Sequence, residues 1–315
     1  MIRSDSPPRA VRSGEAVYDT LLCRDGRMHP AWPLHMGRLL DDARRVGLPM
    51  PDVDALLAEI TARVGGSVGF MRVRVDVFAV GPDRLDHPPM DVAYAVEARP
   101  GIDRVRPPAR VILGPRLRNA ENPLSGVKVA ATPSERALRR AAAAQGADEV
   151  IVCDIVGHLS EATTSALLMG FDDTTIVTPH ATSAPLRSTT VALLSAYAAA
   201  LQRRPGSSRF DGLAVVERAV DAAELIDAPA TQPAWCALAN AVAGARTVER
   251  FDGVALAAPP QRWTTLMRAL VDGEDAATVA AGALAGGIGP AWAVCAFAHG
   301  LAHCRVAALG PVWSR

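Results

Sequence analysis

Of the 33 lysine and arginine residues in this 315-residue chain, one is lysine, Lys128. Arginine carries surface charge and ion pairs at least as well as lysine, but only an amine can lose its proton and attack a carbonyl carbon. A chain that keeps a single lysine therefore points to covalent chemistry at Lys128. The plain alternative is drift in a lysine-poor composition, which would leave that residue anywhere in the sequence. The other reactive side chains support no rival chemistry. Cys23, Cys153, Cys236, Cys295 and Cys304 are widely spaced with no CxxC or Cys/His ligand pattern, and the seven histidines form no HExxH-type pair. Neither a disulfide framework nor a metal site is expected, and the cysteine usage fits a reducing cytoplasm.

The totals narrow the class of partner. Acidic residues also number 33, so the formal net charge is zero, and aromatic residues make up 4% of the chain. That gives no basic field for a phosphate backbone and few rings for base stacking, so a nucleic-acid partner is not expected. With 50% hydrophobic and 21% charged residues the chain reads as soluble and globular, of a size for about two domains.

The elements that must position Lys128 can be read on both sides of it. Residues 16–23 favour a strand, and Asp25-Gly26 can return it as a hairpin. Met36, Leu39, Leu40, Ala43 and Val46 share one face of a helix over 34–46 that Gly47 stops, and a second helix spans 52–64. Residues 70–80 alternate, with Val73, Val75 and Val77 facing a core and Arg72, Arg74 and Asp76 facing away. Short strands at 92–96 and 111–113 follow. The first unit is α+β, and the proline-rich passage 99–123 is the natural boundary. Beyond Lys128, Thr132-Pro133-Ser134-Glu135 has capping-box spacing and opens a helix that ends at Gly146. Strands at 150–153, 159–169 and 174–178 and a helix over 188–201 complete this part. Residues 276–304 contain no charged side chain. Their glycines, Pro290 and histidines favour packed helices over a membrane span.

Residues 122–169, NPLSGVKVAATPSERALRRAAAAQGADEVIVCDIVGHLSEATTSALLM, resemble the class IV aminotransferases. This pyridoxal-phosphate (PLP) family comprises branched-chain and D-amino-acid aminotransferases and 4-amino-4-deoxychorismate lyase. The family's lysine, helix, Gly-x-Asp-Glu strand, Asp-x-x-Gly turn and strand glutamate correspond to Lys128, the helix after Thr132, residues 146–149, residues 154–157 and Glu161. Residues 14–39, GEAVYDTLLCRDGRMHPAWPLHMGRL, are similar to the amino-terminal signature with its His-x-x-Arg-Leu helix. The resemblance implies the two-domain fold type IV of these enzymes, in α+β and α/β form, with the cofactor between a small N-terminal α+β domain and a larger C-terminal one. The expected organisation is an arm over 1–13, the small domain over 14–118, the lysine-bearing domain over 119–272 and an Ala/Gly-rich helical extension over 273–315.

The resemblance also implies roles. Lys128 would carry PLP as a Schiff base and act as general base. Arg38, on the same helical face as His35, would hold the cofactor phosphate, with Thr189 and Thr190 presenting hydroxyls and helix-terminal N–H groups to it. Glu161 would face the pyridine nitrogen. Tyr18, in a Val-Tyr-Asp similar to the Val-Tyr-Glu of D-amino-acid aminotransferases, would help bind the substrate carboxylate, for which Arg72, Arg74, Arg84 and His87 are further candidates. Each role stands against a plainer one: a surface arginine, an ordinary N-cap, an edge glutamate, a core tyrosine. Ala166, Val191 and Pro133 depart from residues usual in the family. The expected activity is transfer of an amino group from a small amino acid to a 2-oxo acid. A lyase that releases pyruvate from an amino-chorismate-type substrate is the alternative, and a non-catalytic PLP-binding relative is a third. A cytoplasmic homodimer without membrane contact is expected.

Overall fold

A computed structural model describes residues 9–82, 86–101, 106–206, 208 and 210–303, which form two units. Unit 1 groups Met1–Gly101 with Val127–Thr132 and Cys295–Arg315. In the expected N-terminal arm, residues 9–13 form a short helix, α1 (Arg9–Ser13), and residues 1–8 lie outside those described. Strand β1 (Ala16–Arg24) turns through Asp25 and Gly26, with φ of 50° and 73°, into β2 (Arg27–Met28). This is the hairpin that an Asp-Gly pair favours, because both turn residues need positive φ. Helix α2 (Trp32–Val46) carries Pro33 in its first turn and ends at Gly47, whose φ of 82° forms a left-handed cap. Helix α3 (Val53–Val64) follows, capped by the Asp52 side chain on the Ala55 N–H.

Strands β3 (Phe70–Val80) and β4 (Asp91–Pro100) complete an antiparallel sheet in the order β2-β1-β3-β4. The alternation of β3 has the expected consequence. Val73, Val75 and Val77 are buried with Val17 and Leu21 of β1 and with Met36, Leu39, Leu40, Leu56 and Ile60 of the two helices. Arg72, Arg74 and Asp76 fall on the opposite face. There Asp76 pairs in register with Tyr18, and Arg74 with Thr20.

The outer edge of β1 is open at its start, because β2 reaches only Cys23 and Arg24. Residues 127–132 take that edge. Val129 bridges Val17, the Tyr18 N–H donates to the Lys128 carbonyl at 3.0 Å and the Ala130 N–H to the Ala16 carbonyl at 2.8 Å. Val127 anchors the segment in the core of the same unit.

Unit 2 groups Ile102–Gly126 with Pro133–Val294. Its elements are β5 (Ala109–Arg118), α4 (Pro133–Ala144), β6 (Glu149–Asp154), β7 (Leu159–Ala162), β8 (Ala166–Gly170), β9 (Thr175–Pro179), α5 (Thr189–Gln202), β10 (Ala214–Arg218), α6 (Ala222–Ile226), β11 (Trp235–Asn240), β12 (Gly244–Phe251), β13 (Val254–Ala255), α7 (Gln261–Asp272), α8 (Asp275–Ala285) and the start of α9 (Ala291–His303), which belongs to unit 1 from Cys295 on. The strands form one mixed sheet in the order β10-β9-β8-β11-β12-β5-β6-β7, with β13 on β12. Residues 159–169, expected as one strand, are two. The chain turns between them as Ala162 and Ser165 exchange backbone contacts, and the Thr163 and Thr164 hydroxyls turn in to the buried Glu149 carboxylate. The β-branched threonines read as strand, but their hydroxyls settle the turn.

The uncharged C-terminal stretch forms α8 and α9, broken by Gly287 (φ 78°) and Gly289 (φ 140°). No helix among the described residues is long and apolar enough to cross a membrane. The part of α9 that groups with unit 1 packs tightly on α2. A Cβ on Gly37 would lie 1.7 Å from the Ala296 carbonyl oxygen, and one on Gly300 2.1 Å from that of Pro33.

Candidate active site

In unit 1 the structure brings Lys128, Tyr18 and Arg38 into one neighbourhood. The Lys128 Nζ lies 4.3 Å from the centre of the Tyr18 ring. The Arg74 guanidinium lies 3.8 Å from the same ring, so two cations meet one aromatic face system. Arg74 is fixed by Asp76, with Nε and Nη2 donating at 2.8 and 2.5 Å. Burial works against the Arg74 charge, but the Asp76 carboxylate offsets it and raises the pKa.

Arg38 is 3% exposed, which sets aside its reading as a surface arginine. Its Nε and Nη2 donate to the two oxygens of Asp19 at 2.9 and 2.7 Å, and His35 Nδ1 stands 2.9 Å from Asp19 Oδ1. Desolvation opposes ionisation of Asp19, yet the charges of Arg38 and His35 hold it far below the usual carboxylate range. The Arg38 pKa is raised, again against desolvation, by Asp19, then Asp42 and Tyr18. Asp42, one helical turn beyond Arg38 and 1% exposed, accepts the Lys128 backbone N–H at 3.0 Å.

Unit 2 contains Glu161, Thr189 and Thr190. Glu161, on β7, is 8% exposed and accepts the Arg118 Nε at 2.7 Å and the Leu186 N–H at 3.1 Å. Arg118 also donates to Glu135 of α4 at 3.0 Å. Burial disfavours its charge, and the Glu161 and Glu135 carboxylates raise its pKa regardless. The turn before Glu161 is set by Asp154, whose Oδ1 accepts the N–H groups of Val156, Gly157 and His158. Burial would raise the Asp154 pKa, but these donors, Gly157 foremost, hold it low. Gly157 has φ of 115°, a conformation that side chains rarely adopt.

Thr189 and Thr190 are the first residues of α5 and each is 2% exposed. The Ser188 Oγ caps the Val191 N–H. The N–H groups of the first helical turn have no carbonyl partner within their own helix, which makes such a terminus an anion site.

Sequence reasoning named neither Asp19 nor Asp42 as a functional residue, nor Arg118. A signal existed for one of them. His35, Arg38 and Asp42 follow at steps of three and four, which places three polar groups on one face of the helix among its apolar buried residues. Asp19 reaches α2 from β1, and Arg118 reaches β7 and α4 from β5, and spacing carries no trace of either. Among the weaker candidates for a carboxylate, Arg72 is half-buried on the sheet face that bears Arg74. His87 is exposed and pairs with Asp86, and Arg84 lies outside the described residues. Ala166 opens β8, Pro133 opens α4 and Val191 lies in the first turn of α5.

The architecture is that of the fold-type IV PLP enzymes. The chain belongs to the class IV amino-transferase family, whose model matches residues 16–251. Members are PLP-dependent transaminases or lyases, so the protein is an enzyme of that kind. A hypothetical aminotransferase from Mycobacterium tuberculosis, in its PLP-bound form, is 25% identical with a TM-score of 0.68, covering 86% of this chain and 93% of that one. A putative 4-amino-4-deoxychorismate lyase from Legionella pneumophila is 20% identical with a TM-score of 0.73, over 87% and 97% of the two chains. A branched-chain aminotransferase from Thermoproteus uzoniensis is 18% identical with a TM-score of 0.73, over 86% and 90%. A search of curated proteins returned no match.

Proposed function

We propose that the protein is a PLP-dependent transaminase that moves an amino group from a small amino acid to a 2-oxo acid, with Lys128 as its catalytic residue. The donor chemistry of the chain fits the cofactor. Unit 1 offers the chain's sole lysine amine, and unit 2 offers two buried hydroxyls at a helix N-terminus and a buried carboxylate. When bound, PLP supplies a carbonyl that condenses with amines and a ring that withdraws electrons from the bond being broken.

Lys128 would hold the cofactor through Nζ and, once released, move the proton at the substrate's Cα. Thr189 and Thr190 would bind the phosphate by their hydroxyls and first-turn N–H groups. Arg38 would add the positive charge of its buried guanidinium to the phosphate. Glu161 would face the pyridine nitrogen, a role that suits a carboxylate already oriented by Arg118 and the Leu186 N–H.

The contact of the Lys128 amine with the Tyr18 ring carries the choice of transamination. Tyr18 stands in the Val-Tyr-Asp that resembles the aminotransferase signature, and its hydroxyl, with Arg74 stacked on the ring, would orient a substrate carboxylate beside the amine. The lyase reading draws on residues 122–128, Asn-Pro-Leu-Ser-Gly-Val-Lys, which look closer to the lyase members of the family. Two assays separate them. Amino acids offered with 2-oxoglutarate or pyruvate should yield the exchanged amino and 2-oxo acids. Pyruvate released from 4-amino-4-deoxychorismate, without transfer in the first assay, would replace the transaminase reading with the lyase one. A cytoplasmic homodimer is the assembly we expect from the family.

A further inference from the structure

Lys128 lies on no regular element, and its position depends on a few bonds. The carbonyl is fixed by the Tyr18 N–H, and the next residue but one is fixed by Ala16, both through β1. Its own N–H is bound by a side chain from another element, the Asp42 carboxylate of α2, at 3.0 Å. Asp42 is 1% exposed, in a helix whose buried face is otherwise mostly apolar. Burying a carboxylate is costly unless charge and hydrogen bonds offset it. Here the offset comes from Arg38, whose charge is supported by both Asp19 and Asp42, and from the Lys128 amide. Within unit 1, Arg38 is hydrogen-bonded to Asp19 and the Lys128 N–H to Asp42, and the Asp42 charge also favours the charged form of Arg38.

From this geometry we infer that Asp42 is a positioning residue for Lys128. By accepting the backbone N–H it fixes the main chain from which the amine projects, and so sets how readily Nζ meets an incoming carbonyl carbon. The inference rests on the reading of Lys128 as the covalent residue. Asparagine can replace the function because its side-chain oxygen accepts the same bond, whereas alanine cannot. A merely space-filling role predicts the same order, because asparagine also matches the volume of aspartate. Asp42→Leu, which fills the space without an acceptor, is therefore compared as well. The inference expects it to behave as Asp42→Ala, and filling space alone would leave it like wild type.

The test compares full-length wild-type protein with Asp42→Asn, Asp42→Ala and Asp42→Leu, each freed of cofactor. Two quantities are read: hydrogen exchange at the Lys128 amide, and the rate at which added PLP forms the borohydride-fixed adduct on Lys128. Asp42→Asn should keep amide protection and a rate within about threefold of wild type. Asp42→Ala should lose protection and slow the adduct by about tenfold or more, since misplacement of a reacting group by about 1 Å can cost up to ~100-fold. Unchanged protection or an unchanged rate in Asp42→Ala or Asp42→Leu overturns the inference, as does equal slowing in Asp42→Asn and Asp42→Ala. If wild-type protein forms no Lys128 adduct, the functional reading falls and takes the inference with it. If wild type reacts and Asp42→Ala keeps pace, the inference alone falls.

Discussion

Asp19, Arg38 and His35 form a buried charged group whose members depend on one another. Removing one partner of such a pair leaves an uncompensated charge, which typically costs about 3–5 kcal/mol. Asp19→Asn should therefore lower stability at pH 7 by an amount of that order. The pH dependence has a definite sign. The carboxyl is held below its unfolded value of about 3.9, so its contribution is present above that value and is lost as pH falls through the acid range. The gap in urea midpoint between wild type and Asp19→Asn should hold steady from pH 7 to about 4 and narrow as pH falls further, through the region below the unfolded value. A gap that stays constant below about pH 4 would show that the Asp19 charge does not carry the difference. Glu161 makes a different prediction. In Glu161→Gln, Arg118 keeps Glu135, so the melting temperature should change little. Turnover should fall at least about tenfold, equivalent to ~1.4 kcal/mol at the barrier. A variant with full turnover would remove Glu161 from the cofactor site.

The helix that carries His35, Arg38 and Asp42 is held at its start by α9, a segment beyond the family match at 16–251. Gly37 and Gly300 allow the two helix backbones to approach as closely as they do. Gly37→Ala and Gly300→Val should each lower stability by roughly 1–3 kcal/mol, the usual effect of overpacking a close contact. Thermal melts would show it, and unchanged melting would mean that α9 sits loosely on α2. Sequence periodicity made α2, α3, β3 and the 16–28 hairpin legible, because each has one apolar face and a glycine or Asp-Gly stop. It could not show the break between β7 and β8, since Thr163 and Thr164 look like strand residues until Glu149 binds their hydroxyls. Nor could it show β10 to β13, whose short runs carry little alternation. Lys128 itself was legible from composition, and its tether to Asp42 was not, because 86 residues separate the two.

For the whole molecule, a cofactor that binds the folded chain and not the unfolded one must stabilise it by mass action, by about 2.7 kcal/mol at a hundredfold excess over Kd. PLP should raise the melting temperature of the wild-type protein, and Lys128→Ala should show a smaller rise. An equal rise in both would mean that Lys128 adds nothing to holding the cofactor. The most direct test of the covalent role is chemical. Purified protein is mixed with PLP, reduced with borohydride, and digested, and the modified peptide is identified by mass. The labelled residue should be Lys128, with one cofactor per chain and no comparable label in Lys128→Ala. An absent adduct, or one carried by the N-terminal amine with Lys128 unmodified, would contradict the assignment of Lys128 as the catalytic amine.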